Sequence, residues 1–264
     1  MSDHTHDEEL APTPGERATH FLGRSDVRRT TLLFIFWTAL FIILGNKFYP
    51  HWMPRIMSKE MASSEKIMIW FTYISAPIAG IVLAVATHAI FNMRRGDTPP
   101  EDGPAIRTNS TVVGIWTIGS LLFVLVAIVW GLLEVNAQSI DAAANANKAV
   151  TIEVTGSQWL WTFHYPAQNI TTHVLNVPVD VPVTFDVTST DVNHSFWPVQ
   201  LGVKVDANDH VITVTHTTPT QTGPIDVKCA ELCGLNHAYM ETTGNVMSPT
   251  DWNKWVAAES GKVS

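Results

Sequence analysis

Within twelve residues, Cys229-Ala-Glu231-Leu-Cys233-Gly-Leu-Asn-His237-Ala-Tyr-Met240 gathers two thiols, an imidazole and a thioether. Soft sulfur donors combined with imidazole select copper, and thiolates with imidazole also suit zinc. A mononuclear blue-copper site needs one Cys. A second thiolate four residues on lets two coppers share two bridging sulfurs, each metal also holding one His. That arrangement needs a further His from elsewhere in the chain. His194, in Asp191-Val-Asn-His194-Ser-Phe-Trp, is the best placed, with His164, His173, His210 and His216 as rivals by composition. Structural zinc is the competing reading, since Cys229, Cys233, His237 and one more His make a Cys2His2 set. Met240 has no role in it, and the tight spacing differs from common zinc ribbons. A disulfide between these cysteines, the only two in the chain, would staple very little of it.

The elements that must position this loop alternate apolar and polar side chains. Val150-Thr-Ile-Glu-Val, Thr171-Thr-His-Val-Leu-Asn-Val, Val181-Pro-Val-Thr-Phe-Asp-Val and His210-Val-Ile-Thr-Val-Thr-His are short, β-branched and separated by Pro, Asn, Asp or Gly. They predict an antiparallel β-sandwich. Ser248-Pro-Thr-Asp251 ahead of Trp252 predicts a capped, short terminal helix.

Ahead of the sandwich lie three apolar stretches, predicted as helices over about 30–49, 67–93 and 108–133. The latter two match the roughly 20 residues a bilayer core requires. The first is marginal unless Lys47 snorkels, and a signal peptide competes with it. The long polar stretch before it and the lack of a small-residue cleavage site favour a retained helix. Residues 1–29 read as a polar cytoplasmic tail in which His4 and His6 are solvated. Residues 30–133 read as a membrane domain and 134–264 as an exterior domain. Arg17, Arg24, Arg28 and Arg29 before the first helix, with Arg94, Arg95 and Arg107 between the second and third, put the N-terminus inside. Lys47, Arg55, Lys59 and Lys66 blur that bias. A stripe of Ala76, Gly80 and Ala84 on the second helix suits either close helix packing or a lipid-facing surface.

Charge divides along the chain. Up to Leu133 there are 11 acidic and 11 basic residues; beyond it, 13 acidic and 5 basic, so the net charge of -8 sits in the C-terminal half. An acidic exterior domain favours basic partners, and no basic tract points to nucleic acid.

The motifs taken together resemble cytochrome c oxidase subunit II of the haem–copper oxidases. The likeness rests on Cys229-x3-Cys233-x3-His237-x2-Met240, Asp191-Val-Asn-His194-Ser, and Leu201-Gly-Val-Lys204-Val-Asp206-Ala. Gly156-Ser-Gln158-Trp159-Leu-Trp161-Thr-Phe163-His-Tyr165 and Ile115-Trp116-Thr117-Ile118 extend it, from about Val112 to the end. The resemblance implies a cupredoxin-like Greek-key sandwich and a dinuclear copper centre. In it Cys229 and Cys233 bridge, His194 and His237 terminate, Met240 binds more weakly and Glu231 gives a backbone carbonyl. The Glu231 carboxylate would reach a magnesium shared with the catalytic subunit, and Trp159 would receive electrons from a donor such as cytochrome c. An ordinary sandwich-core aromatic is the competing role for Trp159.

The implied activity is that of an oxidoreductase subunit of the respiratory chain, passing electrons toward haem and oxygen reduction, with proton translocation. Both of those reside in the catalytic subunit I, with subunit III a further partner, in a bacterial-type inner membrane. The chain departs from the family in its extra first helix, in Val113 where a proton-loading Glu is usual, and in Asn208-Asp209 where Pro-Gly is usual. Phe196-Trp-Pro-Val-Gln also departs from the usual order. Glu101 or Asp102 would have to substitute for the missing Glu. A quinol oxidase subunit II, which generally lacks copper ligands, and a zinc-stabilised binding module are the alternatives. The larger, soluble nitrous oxide reductase is opposed by the helices and the short length.

Overall fold

The computed structural model describes residues 24–91 and 108–260; most of the polar tail, with His4 and His6, and the loop holding Glu101 and Asp102 lie outside them. The chain divides into two compact units: residues 1–53 with 68–100, and 54–67 with 101–264.

Three helices are long and apolar enough to cross a membrane: α1 (Arg24–Trp52), α2 (Lys59–Phe91) and α3 (Ser110–Asn145). In the first unit α1 and α2 pack on each other. Trp37 Nε1 donates to Thr87 Oγ1 at 3.2 Å and the Tyr73 hydroxyl to Asn46 Oδ1 at 2.8 Å. The Ala76/Gly80/Ala84 stripe forms this seam: both alanines are buried and Gly80 lies against Thr38. Small side chains let two helix backbones approach closely where hydrophobic burial gives no preference between lipid and protein.

α3 runs twelve residues past Leu133, to Asn145, because Asn136-Ala-Gln-Ser-Ile-Asp-Ala-Ala-Ala contains no Gly or Pro to stop it. Its start is capped by Asn109, whose side chain accepts from Thr111 N and Val112 N.

The sandwich consists of two five-stranded sheets. One carries, in spatial order, β3 (Ile170–Thr172), β2 (Leu160–Tyr165), β1 (Val150–Ser157), β5 (Val183–Ser189) and β8 (Thr213–Thr217). The other carries β4 (Leu175–Pro178), β10 (Glu241–Met247), β9 (Gly223–Cys229), β6 (His194–Pro198) and β7 (Val205–Ala207). The purely antiparallel expectation is corrected: β1 pairs parallel to β5, and β4 parallel to β10.

The predicted strand over 171–177 is really two strands in opposite sheets. The chain bends at His173-Val174 to cross from one layer to the other. Ile152, Val154, Phe163, Phe185, Phe196, Ile225 and Val227 fill the space between the layers, all essentially without solvent contact. A terminal helix α4 (Pro249–Ser260) follows, where Asp251 N donates to Ser248 Oγ at 3.2 Å. Trp252 and Trp255 of α4 pack against Tyr165.

The segment between α1 and α2 is an integral part of the second unit. Met57 and Ser58 are fully buried. Met57 N donates to Gln200 O, Lys59 N to Thr218 O, and Thr220 N to Met57 O. Ser58 Oγ donates to Leu201 O at 2.6 Å and accepts from Met61 N at 3.0 Å. Glu60 Oε2 accepts from Thr217 Oγ1 and Thr218 N. The expected boundary at residue 134 is therefore incomplete, because the sandwich also includes residues 54–67. Nothing in Met53-Pro-Arg-Ile-Met marks this at sequence level, since its partners lie about 140 residues away.

Candidate metal centre

The loop from Ala230 to Met240 joins β9 to its antiparallel neighbour β10, so its two ends are held together. Cys229 N donates to Met240 O at 3.0 Å, directly across the base of the loop. β6 lies on the other side of β9, with Phe196 opposite Cys229, and Ala230 N donates to Ser195 O. That register carries His194, at the first position of β6, to the loop. Of the rival histidines, His164, His173 and His216 bond to Thr171 Oγ1, Trp161 O and Thr184 Oγ1 instead. His210 lies beside Asp209 and is strongly exposed.

The donors converge pairwise. Cys229 Sγ is 3.8 Å from Cys233 Sγ, and 3.8 Å from His194 Nδ1. Cys233 Sγ is 3.6 Å from His237 Nδ1 and 3.7 Å from Met240 Sδ. The Glu231 carbonyl oxygen lies 3.3 Å from Cys229 Sγ, while its side chain is exposed. Both thiols are free. A disulfide needs about 2.05 Å between sulfurs, whereas metal–thiolate bonds of about 2.3 Å let one ion touch both sulfurs across this gap. The ligand atoms of His194, Cys229 and Cys233 all lie within 4.8 Å of one another, and His237 stands outside that set. Each thiol thus has an imidazole of its own, one at either end of the sulfur pair.

Surrounding groups fix these donors. His194 has no solvent exposure, and its Nε2 lies 2.8 Å from Asp191 Oδ1. With that nitrogen engaged, Nδ1 is the one turned to sulfur, the carboxylate–histidine pattern common beside metals. Burial pushes the Asp191 carboxyl up, but hydrogen bonds from His194, Gln158 N–H and Val192 N–H outweigh it and hold the carboxyl below its ordinary value. Burial, together with hydrogen bonding to Cys229, pushes the Cys233 thiol up to about 11.

Sequence reasoning missed Gly156 of β1. A Cβ there would lie 3.1 Å from both His194 Cδ2 and Trp161 Cζ3, so the imidazole occupies the space a side chain would take. Trp161, rather than Trp159, is the fully buried indole, set edge-on to His194 and Phe196.

The sequence model of the family described as "Cytochrome C oxidase subunit II, periplasmic domain" matches residues 167–246, which hold His194 and every donor of the loop. Over those residues the chain is similar to that family. Curated relatives carry the same name along more of its length. A probable cytochrome c oxidase subunit 2 of Rickettsia bellii is 29% identical over 77% of this chain and 81% of its own. Cytochrome c oxidase subunit 2 of Thermostichus vulcanus is 39% identical over 40% of this chain, but that stretch is 32% of the relative. Quinol oxidase subunit 2 of Bacillus subtilis is 28% identical over 68% of this chain and 57% of its own.

Among solved structures, the periplasmic domain of subunit II of the Bradyrhizobium japonicum cytochrome oxidase is 29% identical. It covers 44% of this chain and 96% of that one, with a TM-score of 0.42. Helices apolar enough to span a membrane precede the matched residues in this chain, and its His-Cys-Cys cluster suits copper.

Proposed function

We propose that this chain is the electron-receiving subunit of a haem–copper terminal oxidase and holds two coppers between Cys229 and Cys233. His194 and His237 terminate the pair, Met240 binds more weakly, and Glu231 contributes its carbonyl. The observation that carries this reading is the pairing of each thiol with its own imidazole across a 3.8 Å sulfur gap. A single tetrahedral zinc would need all four donors around one point, and it would leave Met240, buried at 3.7 Å from Cys233 Sγ, without a role. The same four donors weigh against the copper-free quinol oxidase alternative.

When bound, such a pair supplies one-electron redox chemistry spread over two metals. The residues supply rigidity. The loop is pinned at both ends by β9 and β10, and His194 is locked by Asp191, so the donors shift little when charge changes. Trp159 is the proposed point of arrival for electrons from an exterior donor such as cytochrome c, which the excess of acidic residues in the C-terminal half favours if the donor is basic. Glu231, with its exposed carboxylate, would face a magnesium shared with subunit I. Subunits I and III would complete the complex, with the haem in the catalytic subunit I.

The proposed location is a bacterial-type inner membrane, with the N-terminus cytoplasmic and the sandwich on the outer side. Burial of Met57, Ser58 and Met61 supports it, since the α1–α2 connection then shares the sandwich's side.

The test is metal analysis with optical and paramagnetic-resonance spectra of the full chain in detergent. The expected result is about two coppers per chain, with one unpaired electron shared between them when oxidised. One zinc and no colour overturns the proposal.

A further inference from the structure

The electron-transfer reading leaves a gap between Trp159 and the sulfurs, and the residues that fill it are specific. Gln158 Nε2 donates to the carbonyl of Cys233 at 2.7 Å. The main-chain N–H of the same residue donates to Asp191 Oδ2, also at 2.7 Å. Gln158 therefore grips the metal loop with its side chain and the carboxylate behind His194 with its backbone.

Gly234, directly after Cys233, has a φ of +117°, a conformation that L side chains rarely adopt. A Cβ there would lie 2.9 Å from Gln158 Nε2, and 3.5 and 3.6 Å from Trp159 Cζ2 and Nε1. The indole edge thus faces Gly234 across a space too small for a side chain, next in sequence to Cys233. Trp159 Nε1 is buried without a hydrogen-bond partner among the described residues, so packing, not a polar anchor, holds the ring there. The other large side chains of the loop, Leu232, Leu235 and Tyr239, point into solvent.

We propose that Gln158 and Gly234 are positioning residues that couple Trp159 to the metal pair through Cys233, rather than through either histidine. This rests on the function proposed above. Electron tunnelling falls steeply with each through-space gap, and here the gap is too narrow to hold a side chain and has a hydrogen bond beside it. The step moves one electron: the reduced donor protein loses it, the copper pair gains it, and no bond or proton changes place. The indole acts as a bridge and ends the step unaltered.

The experiment uses the copper-loaded full chain, whose metal-bound thiols are protected, carrying a thiol-reactive ruthenium photoreductant at one of two surface positions. Leu160→Cys puts it beside Trp159. Tyr239→Cys puts it next to His237 and Met240, on a route that avoids Trp159. Both parent side chains are exposed. Flash photoreduction of the copper is then followed in each background.

Gln158→Ala is expected to keep copper content and spectrum, to slow injection from position 160 about tenfold and to leave injection from position 239 unchanged. Gly234→Ala should do the same, and Trp159→Phe should slow the first route alone. Equal rates from position 160 with and without Gln158 overturn the inference, as does equal slowing from both positions. A parent chain that binds no copper defeats the functional proposal instead, so the two failures are distinguishable.

Discussion

His194 Nε2 and Asp191 Oδ1 stand 2.8 Å apart, and this contact decides which face of the imidazole is offered to Cys229. The carboxylate is itself held by two main-chain N–H groups, those of Gln158 and Val192. His194 thus reaches the sulfurs already oriented.

Asp191→Ala should therefore lower copper affinity about 10- to 100-fold, the usual cost of losing the partner of a metal-binding imidazole. Competition titration against a copper chelator measures it. Affinity equal to that of the parent would show that the ring is oriented by packing alone.

Gly156→Ala places a methyl group 3.1 Å from both His194 Cδ2 and Trp161 Cζ3. Overpacking of this kind costs about 1–3 kcal/mol. Urea unfolding of the metal-free chain should report that loss, and copper binding should weaken because the ring that must move is a proposed ligand.

Ser58→Ala removes a buried hydroxyl that donates to Leu201 O and accepts from Met61 N. The carbonyl and amide left behind should cost about 1–3 kcal/mol. The loss should appear in the unfolding of the sandwich, although Ser58 lies in the connection between two membrane helices. A fragment starting at residue 134, which also lacks the fully buried Met57, should be less stable still by the same assay.

Copper uptake should depend steeply on pH. Thiols must lose their protons to bind metal, and with the Cys233 thiol raised to about 11, that proton competes with the metal throughout the neutral range. Apparent affinity should rise as pH rises from 6 to 8, with protons released on loading, as a pH-indicator titration would show.

Acid weakens the Asp191 contacts as well, although that pKa is shifted the other way. Its carboxyl sits below the ordinary 3.8 in the folded chain, so its contribution to stability is present above that value and is lost as pH falls through the lower, folded one. Asp191→Asn should remove this part of the acid dependence, read as the change in melting temperature between pH 5 and pH 3.

The sequence by itself determined what is local. Two thiols, an imidazole and a thioether within twelve residues mark a candidate metal loop whatever the surrounding fold. Three apolar runs define helices because their length and hydropathy are properties of contiguous residues. Strand periodicity located β1, β5 and part of β8 for the same reason.

Tertiary structure alone decided the rest. The choice of His194 over four rivals follows from the register of β6 on β9. The role of Gly156 exists only because an imidazole from another sheet enters its space. Met57 and Ser58 became part of the sandwich core through partners some 140 residues away. Gln158 reached Cys233 across 75 positions of chain. Contacts of that kind leave no periodic trace, because the energy that selects them comes from shape and hydrogen-bond partners supplied by distant segments.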